Sequence, residues 1–475
     1  MRPVALKRMV PVVVASAALA GCAATVPEDA GFPDVERIVS ERIPQRVVWN
    51  RNSAEDAAVH DAIEGLLTDE LASDEAVQIA LLNNRGLQAT YEDLGVAQAD
   101  LVEAGLLSNP IFSGRVLWTF NPEEGAEIGL SIVQNFLDLL MLPARERLAD
   151  VEFQEAKLGV AAEVLELAAE TREAYHTYQA AEQTARVLGE IARSAQASYD
   201  LARRQDEAGN ISERELTAEQ VALAEAKVEL VEAQAAAYAE RERLTRLMGL
   251  WGTQTRWTVP DSLPDLPEDA LPFQRIEALA IAGNLDLAAA RRQNQALATA
   301  LGVARDFRWL GDVEAGLEYE VEADDQEKLG PSIAFGLPIF NQGQPEIARA
   351  AALLRQSENR VAQMAIEIRS EVRAVRDQLI RTRDLAEHYR DVVIPLNQRL
   401  VRLTLQEYNY MFIGPFEVLS ARQSESDAYR RYIEAIRDWW IARSDMERLL
   451  SGRTVPGSPL TLARITKVDV HGESS

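Results

Sequence analysis

The sequence repeats itself at a spacing of about 200 residues, and this duplication restricts the possible folds more than any other feature. Residues 80–89, ALLNNRGLQA, align with residues 280–289, AIAGNLDLAA. A period this long exceeds that of solenoid repeats, so each copy is expected to be half of a larger domain. Nearly the same spacing recurs in further matches: Asn84 with Asn284, Leu87 with Leu287, Ser131 with Ser332, Arg147 with Arg349, Leu216 with Leu419 and Arg246 with Arg448.

Each copy contains two short segments in which every second residue is apolar. Strict alternation is the pattern of a β-strand with one apolar and one polar face. The segments have about the 9–11 residues of a tilted membrane-spanning strand. Polar turns are predicted between the paired strands at 121–125 and 323–329. The four predicted strands lie within 110–120, 126–136, 311–322 and 330–340.

The segment 311–322, GDVEAGLEYEVE, has the most acidic polar face of the four. Like charges on one face of a sheet repel, and acids are depleted in strands. The repulsion eases if the acids point into the water of a barrel while the apolar face contacts lipid. We therefore predict that Glu314, Glu318 and Glu320 line a pore. The alternative is a surface strand of a soluble domain.

A long helical pair follows the strands in each copy, at about 143–248 and 345–450. Each arm of about 60 residues would be about 90 Å long. Pro143 and Pro345 are predicted to lie in first helical turns, which tolerate proline. The first pair contains a coiled-coil seam of mostly alanine residues, spaced alternately by four and three positions. Its members are Ala174, Tyr178, Ala181, Ala185, Leu188, Ala192, Ala195, Tyr199 and Ala202. The arms are predicted to turn at Gly209, Asn210, Ile211 and Ser212, and at Ile413, Gly414 and Pro415.

The N-terminal run resembles the signal peptide of a bacterial lipoprotein. A basic start leads to the uncharged stretch 9–20 and then to Leu19-Ala20-Gly21-Cys22, which is similar to a lipobox. Cys22 would carry the lipid, and the absence of Asp at position 23 favours export to the outer membrane by that resemblance. The alternative is an ordinary secretory signal in which Cys22, the single cysteine, stands by chance.

Composition excludes several other classes. The net charge of −26 argues against binding nucleic acid through general electrostatics. The four histidines are far apart, and the chain has no motif of a metal site, phosphate loop or hydrolase, so neither a cofactor nor a metal is predicted. After the signal run, the sequence has no apolar stretch as long as a transmembrane helix, so any span would use strands.

These features divide the chain into six parts. The prolines of the segment between the copies mark it as a linker. The predicted parts are a signal peptide at 1–21, a tether at 22–71, a first repeat at 72–250, a linker at 251–272, a second repeat at 273–452 and a tail at 453–475.

Over about residues 72–452 the chain resembles the TolC-like outer membrane efflux protein family, in the form of an outer membrane factor lipoprotein. The similar motifs are GPS at 330–332 leading into LPIFNQGQ at 337–344, AGNIS at 208–212 and EVLSAR at 417–422. The sequence departs from the family at Met411, where a glycine often follows the tip tyrosine. The first copy also lacks a counterpart of Gly343.

The resemblance implies a mainly α fold with a small β part. Three chains would each give four strands to one transmembrane β-barrel and two hairpins to a periplasmic α-barrel. Chain physics alone would not exclude four chains. The implied protein is not an enzyme but a passive exit duct for small molecules or ions, whose hairpin tips dock a periplasmic adaptor and an inner membrane pump. The alternatives are a lipid-anchored adaptor and a structural coiled coil without a pore.

The same resemblance places a periplasmic gate just beyond the second tip. Counting from Tyr408 puts Glu417 at one gate position and the uncharged Ser420 at the other. The alternative is that Glu417 is a solvated helix residue in an acid-rich chain.

Overall fold

A computed structural model describes residues 25–51, 55–118, 126–267, 275–309, 313–322 and 326–453. The predicted signal peptide, Cys22 and almost all of the C-terminal tail lie outside these residues, as do the predicted turn 121–125 and part of the other strand turn. The chain divides into two compact units. The sheet unit comprises the described residues within Met1–Pro33, Glu92–Leu158 and Ala288–Val361, and the helical unit comprises those within Asp34–Tyr91, Gly159–Leu287 and Ala362–Ser475.

The described elements follow the same order twice, as two helices, two strands and a long helical pair. In the first copy they are α3 (Ser73–Asn83), α4 (Arg85–Ala104), β1 (Ile111–Trp118), β2 (Ala126–Asn135), α5 (Phe136–Glu207) and α6 (Glu213–Leu247). In the second copy they are α7 (Ile276–Gly283), α8 (Leu285–Asp306), β3 (Val313–Val321), β4 (Glu327–Phe335), α9 (Gln344–His388), α10 (Ile394–Asn409) and α11 (Pro415–Ser451). Helices α1 (Phe32–Ser40) and α2 (Glu55–Leu66) precede the first copy, and a π-helical segment, Tyr389–Val393, joins α9 to α10.

The aligned asparagines perform the same structural task in both copies. The Asn84 Oδ1 atom accepts a hydrogen bond from the Leu87 amide at 3.0 Å, and the Asn284 Oδ1 atom accepts one from Leu287 at 2.7 Å. Each asparagine therefore caps the second helix of its copy. In the first copy, this cap separates α3 from α4.

Glycines end the long helical pairs in equivalent ways. Gly249 and Gly452 both have positive φ, at +66° and +117°. A β-carbon at Gly249 would lie 2.7 Å from the Asn83 carbonyl oxygen, and one at Gly452 would lie 2.5 Å from that of Gly283. Both glycines therefore combine a left-handed helix end with a close backbone approach.

The four strands form one antiparallel sheet in the order β1-β2-β3-β4. The strand β3 pairs with β2, although the two lie in different copies. The sheet therefore joins the two duplicated hairpins edge to edge. The strand β4 begins three residues earlier than expected and ends at Phe335, so Leu337, Pro338 and Ile339 lie beyond it. Proline removes a ladder donor, which accounts for the end of pairing before Pro338.

The two helix-start prolines behave differently. Pro345 is the second residue of α9, as predicted. Pro143 lies inside α5, which already begins at Phe136, so its predicted position in the first turn is wrong. A proline there removes one bond to the carbonyl four residues earlier, and the long packed helix continues through it. No helix in the described part of the chain has the length and hydropathy needed to cross a bilayer.

The linker packs firmly against the helical unit. The Leu71 amide donates to the Thr258 carbonyl at 2.8 Å, and the Gln179 Nε2 atom donates to the Ser262 carbonyl at 2.7 Å. Trp257 is 1% exposed in a core that also holds Tyr178 of the predicted seam. The buried side chains of Trp257, Val259 and Leu263 therefore anchor this segment to the core, despite its prolines. The seam itself is confirmed by its buried members: Ala174, Tyr178, Ala185, Leu188, Ala192 and Ala202.

Part of the predicted tether is also folded. Val35 and Val39 of α1 are fully buried. The Asn50 amide donates to the Gln88 Oε1 atom at 2.8 Å, while the Gln88 Nε2 atom donates to the Val48 carbonyl at 3.0 Å. These two hydrogen bonds fix the stretch around Val48 and Asn50 to α4. The sequence of this stretch has no periodic pattern that would predict the contact.

Candidate pore face and hairpin tips

The register of the sheet collects the polar residues of all four strands on one face. Ser113 lies opposite Ser131, and Ser131 lies opposite Glu318, so these three residues form one row. The two serine Oγ atoms are 2.7 Å apart, which is a hydrogen bond. The next row on this face contains Arg115, Gly129, Glu320 and Lys328.

Two of the acids on this face are paired with cations. The Arg115 guanidinium lies 3.5 Å from the Glu320 carboxylate, although the two residues are on strands separated by β2. Lys328 of β4 forms an ion pair with Glu322, one residue past the end of β3. The acidic polar face of β3 alone would make this wall strongly negative, and the pairing with Arg115 reduces that charge at the Glu320 end.

The remaining predicted pore acids are more exposed. Glu314 and Glu318 are exposed, whereas Glu320 is half-buried. Within the described residues, Glu318 forms no ion pair with a Lys or Arg. All three lie on the polar face of β3 as predicted, and their place against a pore remains a prediction.

The opposite face of the sheet is apolar and largely uncovered in the single chain. Packed soluble sheets bury such a face, whereas a sheet that faces lipid exposes it. Its most exposed members are Phe112, Trp118, Leu317, Leu329, Ile333 and Phe335.

The first hairpin turns through a capped loop. Gly209 has φ +71°, and its amide and that of Asn210 bond back to α5. Ser212 caps α6: its Oγ atom accepts from the Glu215 amide at 3.3 Å, and its own amide donates to the Glu215 carboxylate at 2.8 Å. Hydrogen bonds from Ser212 lower the pKa of Glu215. Ile211 lies between Asn210 and Ser212. These hydrogen bonds confirm the predicted turn between α5 and α6.

The second hairpin has the same turn with a different residue at its centre. Met411 has φ +59° and stands in the left-handed position that Gly209 occupies in the first hairpin. Its amide bonds to the Tyr408 carbonyl at 2.9 Å, and the Phe412 amide bonds to the Glu407 carbonyl at 3.0 Å. The departure at Met411 therefore leaves the backbone shape unchanged.

This second tip presents exposed aromatic side chains. Tyr410 and Phe412 stack with ring centroids 6.0 Å apart, and both are more than 70% exposed. Phe416 of α11 is also exposed. Ile413 leads into Gly414 and Pro415, which begin α11 as its N-cap and first residue. The sequence pattern predicts the turn but gives no signal for the exposed aromatic cluster around it.

The two predicted gate residues lie one turn apart in the first part of α11. Both Glu417 and Ser420 are exposed. The Glu417 carboxylate folds back towards Gly414, where a β-carbon would lie 3.4 Å away. An acid in the first turn interacts favourably with the helix dipole, which supports the solvated alternative equally well.

The helical unit also buries charged and titratable groups that the sequence pattern does not reveal. The Arg448 guanidinium, 1% exposed, lies within 3.6 Å of carboxylates of Glu166, Glu173 and Asp445. Burial raises the pKa of Glu166 and of Asp445, and Arg448 opposes both shifts. Burial, with Arg172 and Arg443 nearby, lowers the pKa of His176 to about 4. These groups are structural in position, because they lie between packed helices.

Among the residues that the structure describes, His, Cys, Asp and Glu side chains form no cluster of three or more that could hold a metal ion. The polar face and the exposed tips therefore remain the candidate sites.

Comparison with known proteins agrees with this geometry. The model of the outer membrane efflux protein family matches residues 76–250. No curated protein sequence matches the chain.

Solved structures share the fold at low sequence identity. The CmeC outer membrane channel of Campylobacter jejuni is 16% identical, with a TM-score of 0.69 over 80% of this chain and 85% of that one. The outer-membrane channel OprN is 17% identical, with a TM-score of 0.67 over 91% of this chain and 98% of that one. The outer membrane protein VceC of Vibrio cholerae is 14% identical, with a TM-score of 0.67 over 80% and 96%.

The duplicated strand-and-hairpin fold and the family match support the same assignment. Residues 76–250 match the outer membrane efflux protein family, and the chain shares the fold of the solved outer membrane channels.

Proposed function

We propose that the chain is one subunit of an outer membrane channel that serves as the passive exit duct of a tripartite exporter. The single observation that carries the proposal is the sheet. It has an exposed apolar face, a polar face and, among the described strands, two open edges at β1 and β4. Open edges cannot remain in lipid, because their backbone groups would lack partners.

Pooling strands from several chains removes those edges. Two chains would supply eight strands, and a barrel of that size is nearly filled by its own side chains. Three chains supply twelve strands and leave room for a lumen lined by the polar face. The proposed assembly is therefore a homotrimer.

The tips are the proposed docking surface for a periplasmic adaptor and, through it, an inner membrane pump. The support is the exposed aromatic cluster at Tyr410, Phe412 and Phe416, since aromatic side chains are enriched at protein interfaces. The proposed lipid on Cys22 would add a second attachment to the membrane. The role requires no catalysis, and the cargo is a small molecule or ion.

The decisive experiment combines chemical cross-linking of the purified protein with single-channel recording in a planar bilayer. A cross-linked trimer and discrete conductance steps are expected. A monomer without conductance would overturn the proposal and favour the adaptor or structural coiled coil. A clear anion preference in a conducting trimer would instead overturn the acidic pore lining.

A further inference from the structure

The sheet brings Arg115 close to three charges that lie more than 200 residues later in the sequence. Arg115 is on β1, Glu320 on β3 and Lys328 on β4, in one row of the polar face, and Glu322 follows β3. Each acid is matched by one cation, through the Arg115–Glu320 pair and the Lys328–Glu322 pair. These four charges, here called the balanced band, sum to zero, and Glu127 of β2 lies on the same face outside the two pairs.

Gly129 lies beneath the first of these pairs. It lies between Arg115 and Glu320 in the register, on the intervening strand. A β-carbon at Gly129 would lie 3.7 Å from the Arg115 Nε atom, so the guanidinium passes directly over the glycine. A larger side chain at this position would occupy the path of Arg115.

The adjacent row has a different character. Glu318 shares it with Ser113, Ser131 and Gly330, which carry no charge. Within the described residues no Lys or Arg compensates this acid. The balanced band and the row of Glu318, which carries one net negative charge in each chain, are therefore neighbours on the polar face.

We propose that Arg115 is a selectivity-determining residue of the pore, which cancels Glu320 across Gly129 and leaves the acids outside the balanced band, with Glu318 next to it, to favour cations. The inference rests on the proposed function, because it needs the polar face to line a conducting lumen. Selectivity in a wide pore depends on the sign of the charges along its wall. A unit charge at about 10 Å in water changes the local concentration of a monovalent ion about twofold.

The test is the reversal potential of single channels under a KCl gradient at low ionic strength. Arg115→Gln should raise the ratio of potassium to chloride permeability by about twofold or more, because it exposes Glu320. Glu320→Gln should lower the ratio, because it exposes Arg115. The double variant should return close to wild type, and each single effect should shrink at high salt.

Matched variants separate charge from structure. Arg115→Lys keeps the charge and should leave the permeability ratio close to wild type. Glu318→Gln should lower the ratio, because it removes the acid of the adjacent row that has no cation beside it. The inference is overturned if trimeric, conducting Arg115→Gln channels keep the wild-type ratio or shift towards chloride. Absence of conductance in the wild-type trimer would overturn the proposed function instead.

Discussion

At the scale of single residues, Met411 adopts a left-handed backbone conformation, which a residue with a β-carbon disfavours. Its φ of +59° costs a residue with a β-carbon about 1–2 kcal/mol. Met411→Gly should therefore stabilise the second tip, by about 0.5–1 kcal/mol after allowing for the greater freedom of glycine in the unfolded chain. Hydrogen exchange of the Phe412 amide measures the change as slower local opening. Gly209→Ala, at the equivalent position, should speed local opening, and faster exchange in Met411→Gly would contradict the prediction.

His176 predicts a specific pH dependence of stability. Its pKa falls from 6.5 to about 4 in the folded chain because it is buried against Trp440 and lies near Arg172. His176 therefore becomes protonated below about pH 6.5 in the unfolded chain, but only below about pH 4 in the folded chain. Stability from this group is complete above pH 6.5, and about 3 kcal/mol is lost as the pH falls to 4.

The check is the thermal midpoint of wild type and His176→Gln between pH 7 and pH 4. Loss of packing should lower the midpoint of the variant at pH 7. The gap should narrow as the pH falls, because the variant lacks the titrating group. A gap that is constant across this range would show that His176 does not titrate as the structure requires.

At the scale of elements, the second copy differs from the first by a π-helical segment. The Ile394 amide bonds to the Tyr389 carbonyl five residues back, directly before Pro395. Proline has no amide to donate and clashes with the carbonyl four residues earlier. The corresponding part of α5 has no proline and runs as continuous α-helix. We attribute the break between α9 and α10 to Pro395.

Replacement of this proline tests the attribution. Pro395→Ala should let α9 and α10 form one regular helix, since the missing amide returns. A crystal structure of the variant would show the hydrogen-bond pattern directly. Arg193→Ala, at the equivalent position of α5, should change neither helix. Persistence of the π segment in Pro395→Ala would assign it to packing against α11.

At the scale of the whole molecule, the proposed trimer brings three copies of Glu417 towards one axis in a closed state. Cys22 is the single cysteine, and its sulfur would carry the lipid, so Glu417→Cys would supply the free thiol of the mature chain. Mild oxidation should then link chains in pairs on a non-reducing gel and reduce conductance. Disulfides need α-carbons within about 7 Å, so linking reports a narrow end. Val228→Cys, an exposed position on α6, provides the control, and equal linking in both variants would contradict the gate.

The sequence by itself determined the elements of this protein. Alternation specified which residues of each strand share a face, and the four-three spacing specified the seam of α5, because both patterns depend on local backbone geometry. The match of Asn84 with Asn284 indicated the duplication, and both residues cap helices as equivalents. The end of β4 and the position of Pro143 were predicted wrongly, because pairing and packing set these boundaries rather than local preference.

Only the tertiary structure decided which charges meet. Arg115 and Glu320 are neighbours because β2 and β3 pair across the two copies and Gly129 leaves a path between them. Burial of Trp257 in the linker and of Arg448 among carboxylates likewise depends on contacts between distant segments. Periodicity reports the face of an element on which a residue lies. Its partners follow from register and long-range packing, which no local pattern encodes.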